Sequence, residues 1–205
     1  MIVLASASPR RRELLGNAGI AFVVRPANIS EIQLRDESPR DFAERMAREK
    51  ARTVWVQTNS VHKNLTTQNT EYHREMPQSG VPVLGADTVV VVDDLVLGKP
   101  NDEQDAARML RLLSGREHKV LTGVCLIGPS FEDVRCEITG VHFRDIREDE
   151  IRGYIASGEP MDKAGAYAIQ GQASRWVLKI EGDYSNVVGL PVELVLRILR
   201  EHKVL

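Results

Sequence analysis

The stretch Ile2-Val3-Leu4-Ala5-Ser6-Ala7-Ser8-Pro9-Arg10-Arg11-Arg12 runs from an apolar strand into a basic helix start within a few residues. Ile2 to Ala5 reads as a buried strand. Ser8 suits a helix N-cap and Pro9 the first helical position, ahead of an apolar stripe of Leu14, Leu15 and Ala18. The first turn of a helix carries unpaired N–H groups and about half a positive charge, so acidic residues belong there and arginines are unfavourable. Hydroxyls, free amides and guanidinium groups on one strand-to-helix turn instead make an anion site, for which polyphosphate is the obvious guest. The plain alternative is a solvated basic helix end. Successive helical residues point about 100° apart, so the three arginines cannot share one target. Arg11 lies on the face of Leu14, Leu15 and Ala18 and should point inward or into a cleft.

Strand-like and helix-like segments keep alternating beyond this start, which indicates an α/β protein. Residues 21–25 form a short strand, and a loop over 26–37 leads to a helix that Ser38, Pro39 and Asp41 open as N-cap, N1 and N3. That helix runs to about Gln57 on a stripe of Phe42, Met46, Thr53 and Val54. Residues 58–80 are polar with little apolar periodicity and read as an insertion loop, possessing no clear role. Val83-Leu84 and Val89 to Val92 follow as strand segments interrupted by Gly85-Ala86-Asp87-Thr88, and Asp93-Asp94 turns the chain into Leu95-Val96-Leu97. Asn101 caps a helix bearing Ala106, Met109, Leu110 and Leu113, stopped by Gly115. Two long strands flank a turn at 128–133. A short helix over 147–156 ends at Gly158, a glycine-rich stretch over 163–171 precedes a strand over 176–180, and a helix over 191–202 closes the chain.

The chain of 205 residues is long enough for one large domain or two small lobes. Its net charge of −2 argues against a protein that coats nucleic acid, which would carry an excess of Lys and Arg. No apolar run is long enough to span a bilayer, and no signal-peptide pattern opens the sequence. Cys125 and Cys136 are the only cysteines, so a reducing, cytoplasmic setting is expected. A hairpin turn at 128–133 would place them opposite each other, and two reduced thiols are the expected state. The histidines His62, His73, His118, His142 and His202 show no ligand spacing, and a histidine metal site is not expected.

Asp87 stands in an otherwise apolar strand, where a carboxylate must be paired, solvated by a cleft or bound to a cation. Gly85 and Ala86 before it permit close approach of a ligand. Lys50 lies four and eight residues beyond Met46 and Phe42, on the buried side of its helix, where it can snorkel or reach an anion pocket. Lys99 sits between Gly98 and Pro100, and Lys163 between Asp162 and Ala164. Glu31 offers a second carboxylate, and with Asp87 it suits magnesium or manganese, which take hard oxygen ligands. Together these residues fit metal-assisted phosphoryl chemistry. Gly-x-x-x-x-Gly-Lys-Ser/Thr, Gly-x-Gly-x-x-Gly after the first strand, and Gly-x-Ser-x-Gly are all missing, which excludes the Walker, Rossmann and serine-hydrolase readings.

Several motifs, in matching order along nearly the whole chain, resemble the Maf family of nucleotide pyrophosphatases. They are Leu4-Ala5-Ser6-Ala7-Ser8-Pro9-Arg10-Arg11, Gly85-Ala86-Asp87-Thr88-Val89-Val90, Gly98-Lys99-Pro100, Ser114-Gly115-Arg116-Glu117-His118, Asp162-Lys163-Ala164-Gly165-Ala166-Tyr167-Ala168-Ile169-Gln170-Gly171 and Val188-Gly189-Leu190-Pro191. The segment 58–80 is longer than the family pattern. The resemblance implies a Maf/ITPase-like α/β fold across 1–205, a mixed twisted sheet with flanking helices and two lobes around a central cleft. It implies hydrolysis of a nucleoside triphosphate to the monophosphate and pyrophosphate with a divalent metal, and a homodimer. By the same resemblance Asp87 is the general base, metal ligand or both, Glu31 a metal or water partner, and Ser8, Arg11, Lys50, Lys99 and Lys163 surround the phosphates. Arg10, Thr88 and Gln170 match the three positions that mark the dTTP/UTP subgroup, whereas the 7-methyl-GTP type carries Trp at the first. The Gln170 amide offers a donor and an acceptor to the imide edge of thymine or uracil. Two other readings are a pyrophosphatase for a non-standard purine nucleotide and a nucleotide-sensing regulator of cell division.

Overall fold

The computed structural model describes residues 1–60 and 80–205. The insertion expected over 58–80 therefore lies outside the described residues for most of its length. Strand β1 (Ile2–Leu4) leads into helix α1 (Pro9–Asn17), and β2 (Phe22–Val24) into α2 (Pro39–Ser60). The hairpin β3 (Val83–Val92) and β4 (Leu95–Leu97) precedes α3 (Glu103–Leu113). The long hairpin β5 (Glu117–Gly128) and β6 (Phe131–Phe143) precedes α4 (Glu148–Ala156). Three short 3-10 turns then lead to β7 (Val177–Glu181), α5 (Tyr184–Val188) and α6 (Val192–Glu201). The seven strands form one mixed sheet, ordered β2-β1-β3-β5-β6-β7, with β4 paired beside β3. Strands β2, β1 and β3 run parallel and the remaining pairs antiparallel.

The helix starts follow the expected capping chemistry. The Ser8 hydroxyl accepts from the Arg11 amide, and Ser38 Oγ accepts from the Asp41 amide at 3.1 Å. Helix α3 differs, because Asp102 rather than Asn101 is its cap, accepting from the Asp105 amide at 2.7 Å. Asn101 binds Asp105 from one residue further out. Both turn residues Asp93 and Asp94 take positive φ, the backbone that a two-residue hairpin requires.

Two corrections concern the strands. The segments 83–84 and 89–92 are one continuous strand, because β5 pairs with β3 from Val83 to Val91 without a break. The cysteines lie near one another but not in register: Cys125 faces Val134 and Cys136 faces Gly123, and both are free. Burial pushes the Cys125 thiol up to about 12 and the Cys136 thiol to about 11. Helix α5 is an element without a sequence expectation.

Helix α2 covers one face of the sheet, with Ala43, Ala47, Ala51 and Val54 packed on Val83, Val89, Cys125 and Leu121. It sits close because Gly85 and Gly123 have no side chains: a Cβ on either would lie 2.2 Å from a backbone oxygen of Ala47 or Ala43. The opposite face carries two apolar clusters. One joins Leu4, Leu15, Leu84, Ala86 and Val124 to α6. The other joins Val90, Val120 and Phe143 to α3, α4 and Trp176. Between the two, along β3 and β5, stand the polar side chains of Thr88 and Thr122. Among the described residues no helix is long and apolar enough to cross a membrane.

Candidate active site

Strand β3 has two different edges. β5 covers one along its length, but the other is shared between β1, paired at Val83 and Leu84, and β4, paired from Val90 to Val92. Among the described residues the stretch from Gly85 to Val89 has no strand on that side, and a cleft of about 790 Å³ opens there. Its walls come from the turn after β1, the loop bearing Glu31, the middle of α2, residues 98–99, residues 162–164 and the end of α5. Five cations, Arg10, Arg11, Lys50, Lys99 and Lys163, line it against three carboxylates, Glu31, Asp87 and Asp162. A chain of negative net charge thus concentrates positive charge at one concave site, as an anionic ligand requires.

Alternation along β3 sends Asp87 and Thr88 to opposite faces. Asp87 shares the face of Gly85, under α2, and there meets Lys50. The Lys50 ammonium lies 2.5 Å from Asp87 Oδ1 and 2.6 Å from Glu31 Oε1, so it joins two carboxylates from separate parts of the chain. Lys50 and Asp87 are both buried, while the Glu31 side chain is 40% exposed and also lies 3.6 Å from Lys99 Nζ. Burial alone would raise the Glu31 pKa, but the hydrogen bond and charge of Lys50, with Lys99 and Arg11, outweigh it and hold Glu31 below the ordinary carboxylate value.

Thr88 faces the other way and meets Arg11. That guanidinium is buried and donates to the Gly189 carbonyl at 2.7 Å, the Ala86 carbonyl at 2.8 Å, Ser6 Oγ at 3.2 Å and Thr88 Oγ1 at 2.9 Å. All four partners are neutral. Burial lowers the Arg11 pKa, and the more distant charges of Asp87 and Glu31 offset this in part. The inward orientation expected from the helix stripe is the one found.

Arg10 points to the same cleft from the next helical position. Burial lowers its pKa too, with Asp162 acting in the opposite sense. Lys163 pairs with Asp162, and Ser8 and Lys99 stand on the remaining walls. The cleft therefore gathers Ser8, Arg10, Arg11, Glu31, Lys50, Asp87, Thr88, Lys99 and Lys163. Gln170 is exposed and does not line it.

Other residues of this region escape a reading by sequence. Thr122 Oγ1 lies 2.9 Å from Thr88 Oγ1, and the buried Asn186 amide donates to Val120 O and Thr139 Oγ1 at 3.0 Å each. Tyr167 forms part of the wall, and its hydroxyl lies 2.9 Å from Nε2 of the buried His118. Burial, followed by the neighbouring His142, drives the His118 pKa down to about 3. Gly189, His118 and Tyr167 lay within motifs of the sequence, but Thr122 and Thr139 depend on strand register and Asn186 on the packing of α5 against the sheet. Register also brings Glu117, His142 and Glu181 together on three adjacent strands, their ligand atoms within 4.8 Å of one another. Sequence spacing hides this group, and none of its members lines the cleft.

The family model described as Maf-like protein matches residues 1–202. A protein named dTTP/UTP pyrophosphatase from Koribacter versatilis (strain Ellin345) is 50% identical over 204 residues, covering 100% of this chain and 95% of the relative. Proteins of the same name from Thermococcus onnurineus (strain NA1) and Symbiobacterium thermophilum (strain DSM 24528 / JCM 14929 / IAM 14863 / T) are 47% and 45% identical, each across 98% of this chain and 97% and 93% of their own lengths. With its motifs in order and a family match along almost its entire length, the chain belongs to the Maf-like protein family.

Proposed function

We infer that the protein hydrolyses dTTP and UTP to the monophosphate and pyrophosphate. The observation that carries this reading is the cleft itself, where the Asp87 carboxylate meets Glu31 on one ammonium within a surround of cations. The name shared by the close relatives supplies the nucleotide class.

The chemistry needs one water and no covalent intermediate. Asp87 takes a proton from water as the oxygen adds to the α-phosphorus, and the bond from that phosphorus to the bridging oxygen breaks. Pyrophosphate leaves with the bridging oxygen, and the monophosphate keeps the oxygen from water. Lys99, Lys163 and the Ser8 hydroxyl bind and orient the phosphates, and Arg11 adds its charge from behind them. Lys50 holds Asp87 and Glu31 in place. The two carboxylates, brought together on the Lys50 ammonium, are hard oxygen donors of the kind that magnesium or manganese takes. Such an ion would be held by Asp87 and Glu31 and would neutralise phosphate charge and acidify water.

Arg10 and Thr88 line the cleft, and Arg10 is assigned to selection of the base or sugar. Gln170 keeps its specificity role on family grounds alone. We take 1–205 as a single domain of two lobes, a reading supported by the separate apolar clusters on either side of Thr88 and Thr122. A homodimer follows from the family resemblance, and two free, high-pKa thiols suit the cytoplasm.

Product analysis after incubation with dTTP and Mn²⁺ tests the reaction. Formation of dTMP and pyrophosphate, abolished in Asp87→Ala, is the expected result. Release of dTDP and phosphate would overturn the mechanism, and untouched dTTP would overturn the pyrimidine assignment.

A further inference from the structure

We propose that Arg11 and Thr88 form a positioning unit, and that Thr88 influences the reaction by fixing Arg11 rather than by touching the nucleobase. The inference rests on the pyrophosphatase reading for its kinetic test, but its geometric basis is independent of it.

A guanidinium has five N–H donors in a fixed planar fork. In Arg11 four are directed at protein acceptors: Nε at Gly189, the Nη1 pair at Ser6 and Ala86, and one Nη2 hydrogen at Thr88. One N–H is left for a ligand. A residue devoted to gripping phosphate would present two parallel donors outward, and this geometry does not. What Arg11 does instead is join three parts of the cleft. Ser6 belongs to the turn after β1, Ala86 and Thr88 to the open edge of β3, and Gly189 to the exit of α5. Through its bond to Ala86, Arg11 satisfies a strand carbonyl that has no neighbouring strand.

The Thr88 hydroxyl is equally engaged. It has one proton and two lone pairs, and three partners surround it. Arg11 donates to it at 2.9 Å, Thr122 Oγ1 lies at 2.9 Å, and it reaches the Gly189 carbonyl at 3.3 Å. Thr122 in turn reaches the Asn186 carbonyl at 3.4 Å, and Asn186 is held by Val120 and Thr139. The file of Thr88, Thr122, Asn186 and Thr139 thereby ties α5 to the sheet and carries Gly189 to Arg11. With Thr122 donating to Asn186, the Thr88 proton goes to Thr122 and one lone pair takes Arg11, so only one lone pair of Thr88 is left to a ligand.

The test uses Thr88→Val, which keeps the shape without the hydroxyl, Thr88→Ser, which keeps the hydroxyl, and Arg11→Lys, which keeps the charge without the fork. Initial rates are measured with dTTP, UTP, CTP and dGTP. In a positioning unit, Thr88→Val lowers kcat by about ten-fold or more on every nucleotide turned over, with KM ratios between nucleotides unchanged. Thr88→Ser recovers most of that loss. The double variant Thr88→Val/Arg11→Lys is no worse than the more damaged single variant, since both break one interaction. A changed ratio of dTTP to CTP turnover in Thr88→Val, with additive effects in the double variant, would overturn the proposal in favour of base contact.

A second measurement needs no turnover. NMR of the arginine side chains should show slowly exchanging Arg11 N–H signals in the parent and Thr88→Ser, lost in Thr88→Val. Their persistence in Thr88→Val, or absence from the parent, overturns the proposal. Failure of the parent to hydrolyse any nucleotide while the NMR result holds would count against the functional reading alone.

Discussion

Two buried cations flank the same strand and are held in opposite ways. On the α2 face, Lys50 sits between two carboxylates. On the other face, Arg11 is surrounded by carbonyls and hydroxyls. Lys50 is neutralised locally by two carboxylates, which on the proposed reading carry the chemistry. Arg11 keeps its charge, because dipoles orient a cation without cancelling it, and its fork matches fixed acceptors that an ammonium could not satisfy. On the proposed reading one side of β3 is reactive and the other architectural, although each presents a buried positive charge to the cleft.

Removing the Lys50 ammonium breaks this comparison most severely. In Lys50→Met the Asp87 carboxylate stays buried without its partner, and urea unfolding should show a loss of about 3 kcal/mol, towards the lower end for a broken buried pair because Glu31 can turn to water. Adding Asp87→Asn should restore part of that stability while turnover stays lost. A smaller effect follows from Gly123→Ala. Its Cβ would lie 2.2 Å from the Ala43 carbonyl oxygen, so α2 must lift, carrying Lys50 with it. The expected cost is about 1–3 kcal/mol, read by thermal melting. Activity should fall while the Arg11 N–H signals persist, since only one face has moved.

Mild acid sharpens the contrast with the smallest effect. His118 lies on the Thr88 face, and its folded pKa of about 3 is below its ordinary value of 6.5. The unfolded chain binds the proton first, so stability falls as pH drops from 6.5 towards 3. Glu31 also has a lowered pKa, and its contribution is present above the ordinary value of 4.5 and is lost as pH falls through its folded value. Between pH 6.5 and 4.5 the loss should therefore come from the architectural face. His118→Gln should flatten the stability curve over that interval, and an unchanged slope would show that another group is responsible.

Much of this division was legible in the chain. The caps at Ser8 and Ser38 and the inward face of Arg11 follow from local spacing, because a helix fixes which residues share a side within one or two turns. Asp87 and Lys50 were visible as charges in apolar surroundings. Reading Asp87 as a break in the strand was wrong for an instructive reason: the carboxylate is accommodated by an open edge, while the β5 ladder continues past it. The Thr88–Thr122 pair and the group of Glu117, His142 and Glu181 arise from register between strands, and the Asn186 and His118–Tyr167 contacts from the packing of α5 and of a loop on β5, none of which local spacing encodes. Gln170 shows the limit of a motif, since matching a pattern did not put its side chain in the cleft.

The ladder from Val83 to Val91 has a consequence for how the protein wears out under heat. Amides in such a central strand exchange their hydrogens with solvent chiefly when the whole molecule opens, whereas loops without a ladder open at far lower free energy. Asp87 rides on the former and Glu31 on the latter. On warming, the two carboxylates should part company from the Glu31 side, well before the strand that carries Asp87 gives way.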